Sequence, residues 1–156
     1  VIKKQPVLNY KTHIQNIGWQ GSKSNGSISG TTGRSLGVEA IIINLNKGDY
    51  SGSIRYRTLN MNNQWQSWKY GSSISGTTGK NMRVEALQIK LSNELEKSFD
   101  IYYRVHSANF GWLGWAKNGQ SAGSQGYRNQ IEAVQIKLVK KGASAPGSNS
   151  SYFKRK

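Results

Sequence analysis

The sequence predicts an all-β fold. Three tandem repeats, each of three antiparallel strands, are expected about a pseudo-threefold axis in a β-prism-like body; a β-trefoil is the alternative if the glycine-rich loops hide a fourth short strand. Three observations carry this expectation. Landmark residues recur with a period of about 47 residues, the mark of supersecondary units that bury their apolar faces against one another. Apolar and polar residues alternate with the two-residue period of strands. No segment shows a helical pattern that would cover the sheets.

The landmarks fix the repeat. Tyr10, Tyr56 and Tyr103 are each followed nine residues later by a tryptophan (Trp19, Trp65, Trp112). Eleven residues beyond that tryptophan stands a glycine (Gly30, Gly76, Gly123), and twenty beyond it a Glu-Ala pair (Glu39-Ala40, Glu85-Ala86, Glu132-Ala133). In the first strand Leu8, Tyr10 and Thr12 alternate with Asn9, Lys11 and His13; Ile54, Tyr56, Thr58 and Ile101, Tyr103, Val105 repeat the pattern. One face is therefore buried and the other wet. Asn16, Asn62 and Asn109 follow each tyrosine by six residues, with Gly18 and Gly111 two further on in the outer repeats and Gln64 in the middle one, which suits a hairpin turn. The second strand is expected to begin at the tryptophan. GTTG (30–33 and 76–79) and GSQG (123–126) read as turn-forming loops. The third strand follows, with Glu85, Leu87, Ile89 and Leu91 on one face of the middle copy.

Composition bounds the class. A chain of 156 residues with 35% hydrophobic content buries one core, so residues 1–141 are expected to form a single domain with repeats at about 7–45, 53–91 and 100–138. Residues 142–156, GASAPGSNSS and then Tyr152-Phe153-Lys154-Arg155-Lys156, are expected to be a flexible, basic, Gly/Ser-rich tail. The formal charge is +15, from 22 basic and 7 acidic residues, and a field of that sign attracts nucleic acid, acidic membranes or anionic wall polymers. With no cysteine, a disulfide framework and a cysteine-ligated metal are excluded. No run reaches the roughly 18 apolar residues of a membrane span, and Val1-Ile2-Lys3-Lys4 has no signal-peptide core, so the chain reads as a mature or excised soluble module. It contains no nucleophile elbow, phosphate loop, zinc motif or dinucleotide fingerprint, so neither catalysis, cofactor nor metal is expected.

The stretch from Leu8 to Leu45, with THIQNIGWQ, SGTTGR and VEAIIINL, resembles the clostridial hydrophobic repeat with a tryptophan, the ChW repeat. Near copies run from Ile54 to Leu91 and from Ile101 to Leu138. The resemblance implies a secreted or cell-surface bacterial protein that binds carbohydrate, cell wall or other surface proteins. Two departures stand out. The arginine expected two residues before the glutamate is present as Arg83, with Gly37 and Gln130 in the other copies; and repeat 1 has Ser22 where the others have a second tryptophan.

The paired tryptophans are the strongest binding candidates. Trp65 and Trp68, like Trp112 and Trp115, are three residues apart, so in a regular strand they project to opposite faces. Trp19, Trp65 and Trp112 are expected in the core, leaving Trp68 and Trp115 as outer platforms for sugar rings, although both of a pair packing inside is the alternative. His13 and His106 occupy one repeat position, filled by Leu59 in the middle copy, and share a face with Lys11, Arg57 and Arg104, either as ligand contacts or as a solvated strand face. Glu39, Glu85 and Glu132 share a face with apolar residues and need partners, from loop amides or a cation, or else from sugar hydroxyls. Their like settings on separate repeats do not make a glycosidase dyad.

The expectation is thus a non-catalytic extracellular module for cell-wall or other surface polysaccharide, anionic wall polymers included. A polyanion or nucleic-acid binder, in which the same tryptophans stack on bases, is the alternative, as is adhesion to a surface protein. Basic residues spread over all three repeats rather than one stripe weaken the nucleic-acid case.

Overall fold

The computed structural model describes residues 2–156. Repeat 1 comprises β1 (Val7–Ile14), the short β2 (Gly18–Trp19), β3 (Lys23–Ser24) and β4 (Ile28–Gly30), and the long β5 (Val38–Asn46). Repeat 2 comprises β6 (Ile54–Asn60), β7 (Lys69–Tyr70), β8 (Ile74–Gly76) and β9 (Val84–Leu91). After a short helix, α1 (Asn93–Ser98), repeat 3 follows with β10 (Phe99–Ser107), β11 (Gly111–Trp112), β12 (Ala116–Lys117), β13 (Ser121–Gln125) and β14 (Ile131–Lys140); β15 (Phe153–Arg155) ends the chain. The alternation read from sequence holds in β1, where Leu8, Tyr10, Thr12 and Ile14 are buried. First and third strands pair antiparallel inside each repeat, β1 with β5, β6 with β9 and β10 with β14.

Three strands per sheet is an expectation the structure corrects. Each sheet has five strands: one is a short strand received from a neighbouring repeat, and the fifth is β3, β12 or, in the sheet of repeat 2, the C-terminal β15. β4 of repeat 1 pairs with β14 of repeat 3, β8 of repeat 2 with β5 of repeat 1, and β13 of repeat 3 with β9 of repeat 2. The exchange closes a ring of three sheets. A segment such as Ile28-Ser29-Gly30 is too short to display alternation, and its serine and glycine read as loop.

This exchange explains why glycine and Glu-Ala recur at fixed spacing. Gly30 lies opposite Ala133, Gly76 opposite Ala40 and Gly123 opposite Ala86, each across a repeat boundary. All three glycines have positive φ, and a Cβ on Gly76 would stand 2.3 Å from the Glu39 carbonyl oxygen. Only glycine on one side and a small residue on the other allow the backbones to meet.

The tyrosines lock the ring. Tyr10, Tyr56 and Tyr103 are fully buried, and their hydroxyls donate to the carbonyls of Ser27, Ser73 and Gln120 just ahead of the donated strands. The Tyr10 oxygen also accepts the Ile136 N–H at 3.1 Å, and the Tyr56 oxygen the Ile43 N–H at 3.2 Å; Tyr103 Oη lies 3.2 Å from the Ile89 carbonyl. Burial raises all three phenol pKa values, so they stay protonated donors. Beside them Thr12 meets Ser29 at 2.8 Å and Thr58 meets Ser75 at 3.0 Å; the equivalent pair in repeat 3 is Val105 and Ala122. Both polar partners are replaced together there, so neither hydroxyl is left facing an apolar group.

The fold is all-β as expected, with one short helix between repeats 2 and 3 that has Glu94 and Glu96 in its first turn, Lys97 in its last and Leu95 in the core. Among the described residues no helix is long and apolar enough to cross a membrane. One further expectation fails: residues 142–156 are not a free tail, since β15 pairs in parallel with β13. The cause is local. Gln20 and Gln66 accept the Gly30 and Gly76 amides at 2.8 and 2.7 Å, but Leu113 stands at that place in repeat 3, and the Gly123 amide donates instead to the Tyr152 carbonyl at 3.1 Å.

Thr58→Val or Ser75→Ala alone should lower the unfolding free energy by about 1–3 kcal/mol, because each strands a buried partner. The double variant, which copies repeat 3, should return most of that loss in urea unfolding. Gly76→Ala should be the most harmful of the set, with a melting temperature several degrees lower at about 2–4 °C per kcal/mol for a chain of this size.

Candidate ligand-binding faces

The exposed face of each first strand carries a cation at the same repeat position, Lys11, Arg57 or Arg104, and the tryptophans gather on it. The Arg57 guanidinium carbon lies 4.9 Å from the Trp65 ring and 4.7 Å from the Trp68 ring. Arg104 sits likewise between Trp112 at 4.5 Å and Trp115 at 5.1 Å. Each arginine is also held by a glutamine of the third strand, Arg57 Nε to Gln88 at 2.6 Å and Arg104 Nε to Gln135 at 2.7 Å. Burial lowers the Arg104 pKa from its ordinary value. Cation–π contacts of this kind are worth about 0.5–2 kcal/mol each, more as water is excluded.

Both tryptophans of a pair therefore face the same way, and the expected division into core and surface is corrected. Trp19 and Trp112 pair across the ladder with His13 and His106, and Trp65 bridges to Leu59, so all three sit half-buried outside the hydrophobic core. The following residue turns inward, its N–H bound to the carbonyl of Thr12, Thr58 or Val105 at 3.0 Å. The strand then breaks before β12 or its equivalents, which resets the alternation and brings the second tryptophan back to the outer face. Trp68 is half-buried there. Trp115 is not an open platform: it is 6% exposed, its backbone N–H donates to the Ser148 carbonyl at 2.8 Å, and Gly147 packs against its indole nitrogen.

Repeat 1 lacks this arrangement. Lys11 reaches the Trp19 ring at 5.4 Å, and Ser22 stands where the second indole would be. A cleft of about 340 Å³ opens at that place, bounded by Asn9, Lys11, Ser22, Ile42, Asn44 and Ser72. Lys11 and Asn44 are the counterparts of Arg57 and Lys90, the two cations that contact Trp68, Lys90 at 4.2 Å. The cleft is thus the vacated seat of an aromatic ring, rimmed with hydroxyl, amide and ammonium groups. Ser22 is legible in the sequence as a departure from the repeat; nothing in a single strand predicts that Asn44 and Ser72, the latter from repeat 2, complete a cavity around it.

The glutamates sit at β-bulges. In every repeat the register slips where the glutamate is the extra residue, between His13 and Ile14, Leu59 and Asn60, and His106 and Ser107. The bulge turns Glu39 toward His13 Nδ1 and Glu132 toward His106 Nδ1, both at 3.0 Å, rather than leaving them among the apolar residues of their strands. Each of these imidazoles also meets its tryptophan edge to face, at 5.3 and 5.4 Å. Lys11, His13, Trp19 and Glu39 thus cluster, as do Arg104, His106, Trp112 and Glu132. Glu85 is left out of such a group because Leu59 replaces the histidine.

Against known proteins, a family profile described as Clostridial hydrophobic W matches three times, at residues 13–47, 62–93 and 106–140. No match was found among curated proteins or solved structures. The three matched segments fall one on each structural repeat and together cover more than half of the sequence, so the chain belongs to the Clostridial hydrophobic W repeat family.

Proposed function

We propose that this chain is a non-catalytic extracellular module that binds polysaccharide of a cell wall or other surface and attaches a secreted bacterial protein to it. The observation that carries this reading is the cleft of repeat 1, in which the seat filled by Trp68 and Trp115 in the other repeats is open. A sugar ring has the size to replace an indole. Its hydroxyls would meet Asn9, Ser22, Asn44 and Ser72, and Lys11 would favour a ring bearing a carboxylate or phosphate. Trp68, half-exposed under Arg57 and Lys90, offers a second and shallower contact on repeat 2.

The polyanion reading has one observation in its favour. Four of the seven acids, Glu39, Glu85, Asp100 and Glu132, are buried, so the exposed surface is more basic than composition alone implies. Against base stacking, the indole faces of repeats 2 and 3 already carry arginines. The two readings differ in their response to salt, because phosphate neutralisation releases counterions whereas ring contacts do not.

Filling the cleft tests the proposal directly. Ser22→Trp should rebuild the missing second indole, leave the melting temperature unchanged or higher, and reduce binding to purified wall polysaccharide at least tenfold. Retained binding in this variant would sink the cleft as the site. Wild-type binding should also persist in part at 0.5 M salt, where the Debye length is about 4 Å; its complete loss there would favour the polyanion reading.

A further inference from the structure

Glu85 is the one glutamate of the three bulges without a partner. Its counterparts each bond a histidine, but Leu59 occupies that place, and among the described residues the Glu85 carboxylate makes no hydrogen bond or ion pair while the residue is only 4% exposed. A buried carboxylate left this way costs stability, and burial raises its pKa, with Arg128 offsetting part of the rise. The side chain is not sealed in. It lines two adjoining hollows at the boundary of repeats 2 and 3, of about 100 and 340 Å³, which share Met61, Glu85 and Arg128.

The hollow has two poles. Glu85 supplies a negative charge on its wall and Arg128 a positive one that acts on Glu85 through space without closing an ion pair. Arg83, passing beside Gly37 where any Cβ would stand 2.3 Å from its Cγ, lines the smaller hollow with Asn129 and Gln130. Opposite charges that face one cavity and do not meet leave room for a ligand that carries both signs. A polysaccharide hydroxyl would satisfy neither pole as well.

We propose that this hollow binds an α-amino acid head group, a free ammonium beside a carboxylate, with the ammonium on Glu85 and the carboxylate on Arg128. The two hollows divide the work: the smaller takes the head group and the larger admits the chain attached to it. This site is separate from the cleft of repeat 1 and does not rest on the polysaccharide reading, and Ser22→Trp should leave it intact.

The test is a titration of the whole chain with alanine, followed through backbone amide chemical shifts of Met61, Glu85 and Arg128. Saturable shifts are expected at millimolar alanine. Alanine amide, which keeps only the ammonium, and N-acetylalanine, which keeps only the carboxylate, should each bind at least tenfold more weakly. Glu85→Gln and Arg128→Ala should weaken alanine binding tenfold or more. As a fold-independent check, Glu85→Gln without ligand should melt no lower than the wild type at neutral pH. The wild type should lose stability as pH rises from the ordinary glutamate value of 4.5 through the raised one, and the variant should not; Arg83 and Arg128 are the charged groups that face Glu85. Equal binding of alanine amide would make this a plain cation site, equal binding of N-acetylalanine a plain anion site, and no saturable shift no site; each outcome overturns the proposal.

Discussion

The fold depends on the passage of one short strand from each repeat into the next sheet, fastened by a buried tyrosine hydroxyl. A three-stranded sheet with one apolar face cannot stand alone, and a short strand such as Ile28–Gly30 has too little surface to hold itself in place. The tyrosine supplies the fixture, because its ring fills the shared core while its hydroxyl ties the start of the donated strand to the backbone of the receiving repeat. Repetition makes the lock mutual. Each repeat is donor to one neighbour and acceptor for the other, so stability belongs to the ring rather than to any repeat.

Within this ring the departures from strict repetition come in matched sets. Thr with Ser becomes Val with Ala; glutamine on the glycine amide becomes leucine, and the Tyr152 carbonyl takes over that hydrogen bond. Each set keeps buried polar groups satisfied. Two changes do not close on themselves. Ser22 leaves a ring-sized cleft and Leu59 leaves a buried carboxylate, and a hollow opens beside each.

Charge follows the same division. Histidine and bulge geometry account for two of the buried glutamates, and Asp100 is held at a pKa of about 2 because hydrogen bonds from Asn118, Gly142 and Lys141 outweigh the effect of its burial. The basic residues remain at the surface, several of them laid over aromatic rings. A polymer that reaches this surface meets hydrogen-bonding groups and cations together, not bare indole faces.

The sequence by itself determined the repeat, the all-β class, the buried side of the first strands and the identity of the recurrent tyrosine, glycine and Glu-Ala positions. These are local facts, since alternation and spacing are properties of a chain segment and its near neighbours. Tertiary structure alone decided where the tryptophans point, because a break in the strand resets an alternation that spacing assumes to be continuous. It alone revealed that Gly30 touches Ala133 and Tyr10 bonds Ile136, contacts between residues more than a hundred positions apart that no periodicity encodes. The cleft beside Ser22 and the hollow around Glu85 belong to the same category: each is walled by side chains from two repeats, and a cavity exists only once the walls have been brought together.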